Sequence, residues 1–254
     1  MTSFPVQVRL LFSRKLLETL RAPAWVLVGL STPLLYLALF APLLDPLAGG
    51  PGFPRGDVLD VFVPGLLVLM AFGAGMGAGW IVIEELTTGV LERLRVTPAS
   101  RLALLLGPVL RDVVVFAIPA LLVVAIALPF GYRPAPGGIA VALVLLALLT
   151  AVVSAWSNAL GVLMKETGSL AAIVTGLQLP LTLLSGVLLP LSIAPGWMRV
   201  LAHVNPLYYA VEAARDLSSG SILTADVGLG FLVIGALTVA TLGWATRVYR
   251  VAVA

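Results

Sequence analysis

A chain of 254 residues with 60% hydrophobic and 11% charged side chains cannot cover a water-facing surface; soluble domains carry about 25% charged residues. Its mean hydropathy of +1.11 places it in the membrane class before any motif is read. With no cysteine and one histidine, His203, there is no basis for a disulfide framework, a thiolate nucleophile or a Cys/His metal site.

In chain order, the first element is "VQVRLLFSRKLLETLRAP" (Val6–Pro23), where basic residues sit beside Leu and Phe and Pro23 stops the run. It reads as an amphipathic helix lying on the inner leaflet. Six apolar runs then approach the roughly 20 residues that a spanning helix needs. They are Trp25–Leu44, Val61–Ile83, Val113–Phe130, Gly138–Met164, Leu170–Leu191 and Val227–Trp244. The runs are continuous rather than alternating, which excludes a β-barrel, and the first starts too late to be a cleaved signal. The expected fold is therefore all-α, a single membrane domain over 1–254 with six transmembrane helices.

Lys and Arg set the orientation. With both termini cytoplasmic, eleven basic residues lie inside and four (Arg55, Arg133, Arg199, Arg215) outside. The net charge of +3 thus reflects topology, and no nucleic-acid partner is expected. Of the outer loops, Asp45–Asp57 is Gly/Pro-rich and irregular, and Gly131–Gly138 is a tight turn. Ser192–Ser221 is longer, amphipathic and aromatic; Asn205 followed by Pro206 fits an N-cap and first helical residue. It reads as a short outer helical hairpin before the sixth span, with Tyr208 and Tyr209 near the interface.

Between the second and third spans lies "EELTTGVLERLRVTP" (Glu84–Pro98), a knot of ionisable groups in an oily chain. Five unpaired charges at mid-bilayer would cost about 12 kcal/mol or more, so the knot belongs on the cytoplasmic side. Plotted as one helix, Leu86, Val90 and Leu94 share one stripe, and Glu85, Thr88, Glu92 and Arg95 another. A docking element and a plain solvated helix both have this pattern, and composition does not separate them. Arg111 and Asp112 can pair where the chain re-enters the bilayer.

"GVLERLRVTPASR" (Gly89–Arg101), preceded by Glu84 and Glu85, resembles the cytoplasmic signature of ABC transporter type-2 permeases, in particular the daunorubicin-resistance-like drug-efflux branch. Glu84, Glu85, Gly89, Glu92, Arg93, Arg95, Pro98 and Arg101 match that pattern. The resemblance extends over nearly the whole chain and includes "NPLYYAVEAARDL" (Asn205–Leu217). One departure is Ile83, where relatives often carry a basic residue. The resemblance implies a cytoplasmic coupling helix seated in a separate ABC ATPase, present in two copies, which binds ATP and Mg. It also implies a second permease half, identical or related. The site would be the bacterial cell membrane, amid membrane lipids, and the cargo a hydrophobic or amphiphilic drug, antibiotic or lipid.

The chain carries no G-x-x-x-x-G-K-[ST] phosphate loop, so it is not itself the motor. "LSSGS" (Leu217–Ser221) matches an ATPase signature only by chance, and His203, Glu212 and Asp216 form no catalytic set. Cofactors are expected only in the partner. Polar residues within the spans are few. Tyr36, Asn158, Thr175, Gln178, Thr182 and Ser185 are candidates for a substrate path, or glue between helices. Alternate glycines in "AFGAGMGAGW" (Ala71–Trp80) permit close helix approach or flexing. The competing function is a proton-driven efflux transporter, which needs an ionisable group deep in a span; on this segmentation Asp112 and Asp226 lie near the ends.

Overall fold

The computed structural model describes residues 3–21, 23–44, 58–97, 99–187 and 191–252. The expected outer loop Asp45–Asp57, Pro98, and the end of the fifth apolar run at 188–190 lie outside the described residues. All the regular elements among the described residues are helical.

Helix α1 (Phe4–Leu20) is the amphipathic N-terminal element, with Pro5 in its first turn. It packs along the start of α6 (Arg101–Ala127). The side chain of Gln7 accepts the Ser100 N–H at 2.9 Å, and Ser100 caps α6 by accepting from the Ala103 N–H. Helix α2 (Pro23–Leu44) begins at the proline that stops α1, and has Pro33 and Pro42 inside it.

The second apolar run is broken. Helix α3 (Val58–Met76) ends one residue before α4 (Ala78–Thr87) begins. A side chain from α7 (Pro136–Met164) stitches the break. The Ser157 hydroxyl donates to the Met76 carbonyl at 2.6 Å and accepts from the Gly79 N–H at 2.9 Å. Two of the alternate glycines are there for proximity. A Cβ on Gly79 would lie 2.5 Å from the Ser157 carbonyl oxygen, and one on Gly75 2.7 Å from the Ser154 nitrogen. A side chain at either would push α7 away.

Helix α5 (Val90–Arg95) is short. Helix α8 (Thr167–Leu183) buries only Leu170 and Val174. Two short helices, α9 (Gly196–Ala202) and α10 (Pro206–Ser218), precede α11 (Ala225–Ala252). Helix α10 does not lie on the surface: Leu207, Ala210, Val211, Ala214 and Leu217 are buried, and it packs against α3, α7 and α11. The main core is formed by α3, α6, α7, α10 and α11. A smaller core at the α5 end gathers Leu104, Leu105, Val109, Ala159 and Tyr249.

Among the described residues, four helices are long and apolar enough to cross a membrane: Leu59–Thr87, Arg101–Phe130, Pro136–Met164 and Ala225–Val251. The expected fifth span is shorter than the apolar run implied. Its helix of 17 residues is about 25 Å long at 1.5 Å per residue, under the roughly 30 Å hydrocarbon core. The chain turns after it at Gly186 (φ 73°), where Ser185 Oγ donates to the Thr182 carbonyl. The third span begins earlier than Val113. Helix α6 starts at Arg101, so Asp112 sits about 16 Å along it rather than at its entrance.

Candidate functional site

The charged knot is not one helix. The Thr87 and Thr88 hydroxyls both donate to the Glu84 carbonyl, drawing α4 to a close. Gly89 then takes φ 69°, a left-handed value that suits glycine, and α5 starts in a new direction. Two expectations change as a result. Glu85 and Glu92 do not share a face, and Leu91, not Val90, is the buried residue of α5.

Glu85 turns inward. Its Oε1 lies 2.7 Å from Lys15 Nζ and 3.3 Å from Arg14 Nη2, both on α1. Glu18 completes the cluster, 3.0 Å from Lys15 and 2.9 Å from Arg14. Partial burial pushes the Glu18 carboxyl up, but the hydrogen bond from Lys15 and the two cations outweigh it and hold it below its usual range. Lys15 and Glu85 are both buried. Beside them is a cavity of about 10 Å³, roughly the room one water needs. Leu91 and Leu94 of α5 and Tyr249 of α11 also line it. Helix α5 thus rests with its apolar side on an ion cluster that joins α1 to α4.

The other side of α5 is free. Glu92 and Arg93 are exposed, and Val96 just beyond is 87% exposed. Arg93 folds back so that its Nε and Nη2 donate to the Gly89 and Thr88 carbonyls, each at 3.3 Å. This fixes the guanidinium over the end of α4, where a cation is favoured. Glu92 makes no ion pair with any described residue. Glu84 is exposed, and Arg101 is the first residue of α6. Arg95 is the last residue of α5.

The candidate path residues do not form one surface. Thr175 and Gln178 are exposed on α8, and Tyr36 is half-buried on α2. Asn158 and Ser185 are buried. Asn158 Nδ2 donates to the Ser154 carbonyl and hydroxyl, at 2.8 and 3.2 Å. Ser154 in turn donates to Asp112 Oδ2 at 2.5 Å, and Asp112 Oδ1 faces Arg111 Nη2 at 3.0 Å. These four residues form a polar seam between α6 and α7. Thr182 Oγ1 is buried with no hydrogen-bond partner among the described residues.

At the opposite end of the bundle, Asn205 caps α10: its Oδ1 accepts the Leu207 N–H at 3.0 Å, with Pro206 first in the helix. Its Nδ2 also donates to the Leu181 carbonyl, tying α10 to α8. Tyr209 donates to the His203 carbonyl, and the Tyr208 ring lies 5.0 Å from the His203 ring. Arg215 is the unforeseen anchor. It pairs with Glu212 at 2.8 Å and donates to the carbonyls of Gly186 (2.7 Å) and Val61 (3.4 Å). Burial lowers its pKa, and Glu212 opposes that shift. Tyr132 hydrogen-bonds Ser218 at 2.6 Å, and burial pushes its hydroxyl up to about 12, so it stays neutral.

Sequence reasoning missed Lys15, Ser157 and Arg215. Lys15 carried a signal: it is one of two lysines in the chain, placed on a helix expected at the same membrane face as Glu85.

Comparison with known proteins adds independent information. A family model described as ABC-2 type transporter matches residues 6–217. The chain is 29% identical over 220 residues to the protein named as transport permease ycf38 of Cyanophora paradoxa, covering 86% of this chain and 76% of that one. It is 27% identical over 220 residues to the daunorubicin resistance ABC transporter permease protein DrrB1 of Streptomyces coeruleorubidus, covering 86% and 77%. A ycf38 from Pyropia yezoensis is 28% identical over 216 residues, covering 84% and 74%.

Proposed function

The chain belongs to the ABC-2 type transporter family, and from that premise we propose that it is the permease subunit of an ATP-driven exporter of hydrophobic or amphiphilic compounds. As a permease of this family it works with an ABC ATPase subunit. In the proposed assembly two ATPase copies bind ATP and Mg, and two permease halves of six spans each meet in the bacterial cell membrane, with termini and α5 on the cytoplasmic side.

The observation that carries the proposal is the two-sided placement of α5. Its acid and arginine face away from the protein, while Leu91 and Leu94 bear on the Lys15–Glu85 pair. A partner gripping Glu92 and Arg93 through charge-assisted bonds would move α5, and with it α1 and α4, as one body. The stitched break between α3 and α4 gives that body a place to turn relative to the rest of the bundle. Opposite this end, α10 is pinned by Arg215 and Asn205 to α8 and α3, so the same motion would reach the outer hairpin.

Helix α8 supports the two-half arrangement. It leaves Leu179 and Leu183 exposed on the same side as Thr175 and Gln178. Facing a second half, this side would form a sparsely polar path for cargo. Gln178→Leu is expected to leave membrane insertion and ATPase binding intact while shifting cargo preference toward less polar compounds by about tenfold, the worth of one hydrogen bond of about 1.4 kcal/mol. Export assays on a panel of compounds read this, and an unchanged profile removes Gln178 from the path.

The proton-driven reading gains one point, since Asp112 lies well along α6. Its carboxylate is, however, already engaged within the α6–α7 seam, with Oδ1 3.0 Å from Arg111 Nη2 and Oδ2 accepting from the Ser154 hydroxyl at 2.5 Å. Affinity purification in mild detergent tests the proposal: an ATPase subunit should co-purify, and its consistent absence from preparations that export would contradict it.

A further inference from the structure

The end of α7 and the last turns of α11 enclose an open groove of about 270 Å³, lined by Leu163, Trp244, Arg247, Val248 and Val251. The four α11 residues recur at i, i+3, i+4 and i+7, so they form one face. Leu163 is 46% and Val251 82% exposed, so the trough is apolar and uncovered. Arg247 is exposed and makes no hydrogen bond or ion pair with any described residue. The helix end does not account for it: Arg250 is the cation of the last turn of α11, where it offsets the C-terminal carbonyls. Arg247 sits one turn earlier, at the groove.

An apolar trough beside an unpaired guanidinium is complementary to a molecule with a hydrocarbon tail and an anionic head. Trp244 has the amphipathic ring found at membrane interfaces. The basic side chains of α1 near this end, Arg14 and Lys15, are spent on Glu18 and Glu85, which leaves Arg247 as the cation beside the groove that has no partner among the described residues. We propose that this groove binds an anionic phospholipid, with an acyl chain along Leu163, Val248 and Val251 and the phosphate at Arg247. The assignment rests on the membrane reading above. It needs no ATPase, so its failure and the failure of the exporter reading are told apart.

The test uses the full chain purified in mild detergent, with bound lipid counted by native mass spectrometry after adding phosphatidylglycerol or phosphatidylcholine of identical acyl chains. Wild type should retain phosphatidylglycerol about fivefold better, the effect of one basic residue at an anionic surface. R247Q should erase the preference, R250Q should keep it, and Val248→Trp, which fills the trough, should reduce retention of both lipids. Equal retention of the two lipids overturns the proposal. So does an equal loss in R247Q and R250Q, which would mean diffuse surface charge. Unchanged retention in Val248→Trp, or displacement of the lipid by inorganic phosphate, likewise counts against it.

Discussion

Glu85→Lys is expected to abolish the folded permease. The wild-type carboxylate serves two cations, Lys15 at 2.7 Å and Arg14 at 3.3 Å, and is itself buried. The substitution sets a third cation against them in a site with room for roughly one water. Leaving a buried charge uncompensated costs about 3–5 kcal/mol, a large part of the 5–15 kcal/mol that holds a typical domain together. Detergent-extracted protein should aggregate on size exclusion, or melt far below wild type. The charge-reversed double variant, Lys15→Glu with Glu85→Lys, should recover much of the loss. A double-mutant cycle with no coupling between the two positions would show that the pair does not join α1 to α4.

Glu92→Lys is expected to act in the opposite way. Glu92 is exposed, makes no ion pair with a described residue, and belongs to a helix whose buried side is apolar. Surface changes of this kind stay within about 0.5 kcal/mol in stability, so insertion and melting should match wild type. The ATPase, by contrast, would meet a reversed charge at the centre of its contact. Truncating one partner of a buried charged contact costs about 2–5 kcal/mol, and reversal costs at least as much, so binding should weaken by more than about thirtyfold and export should stop. Normal export by this variant would remove α5 from the coupling role. The two glutamates are thus expected to separate a contact that builds the fold from one that serves a partner.

Much of this architecture was legible in the chain. The N-terminal helix ended by Pro23, the Asn205–Pro206 cap and the two short helices before α11 each follow from local chemistry, and each has the same cause in the structure. The inward turn of Glu85 was not legible, because a helical wheel assumes continuity and the threonine pair with Gly89 breaks it. Its partner Lys15 is distant in the chain, and no local pattern announces such a contact. The depth of Asp112 was misread for a related reason. Adjacent opposite charges look like a membrane boundary, yet α6 begins eleven residues before Asp112, and Arg111 and Ser154 flank the carboxylate where α6 packs on α7. The shortness of α8 was missed because an apolar run was treated as one helix without weighing the Ser185–Gly186 turn. The close approach of Gly75 and Gly79 to α7 was foreseen as one of two options, and the break at Gly77 gives the second option a location.

The central claim is that a separate ATPase, seated on α5, drives this permease. Its most direct measurement is cargo movement across sealed vesicles containing the purified chain, with and without the ATPase that co-purifies with it. The account predicts movement only when the ATPase and ATP are both present, and none with a Glu92→Lys permease. ATP-independent movement by the chain alone, driven by a proton gradient, would contradict it.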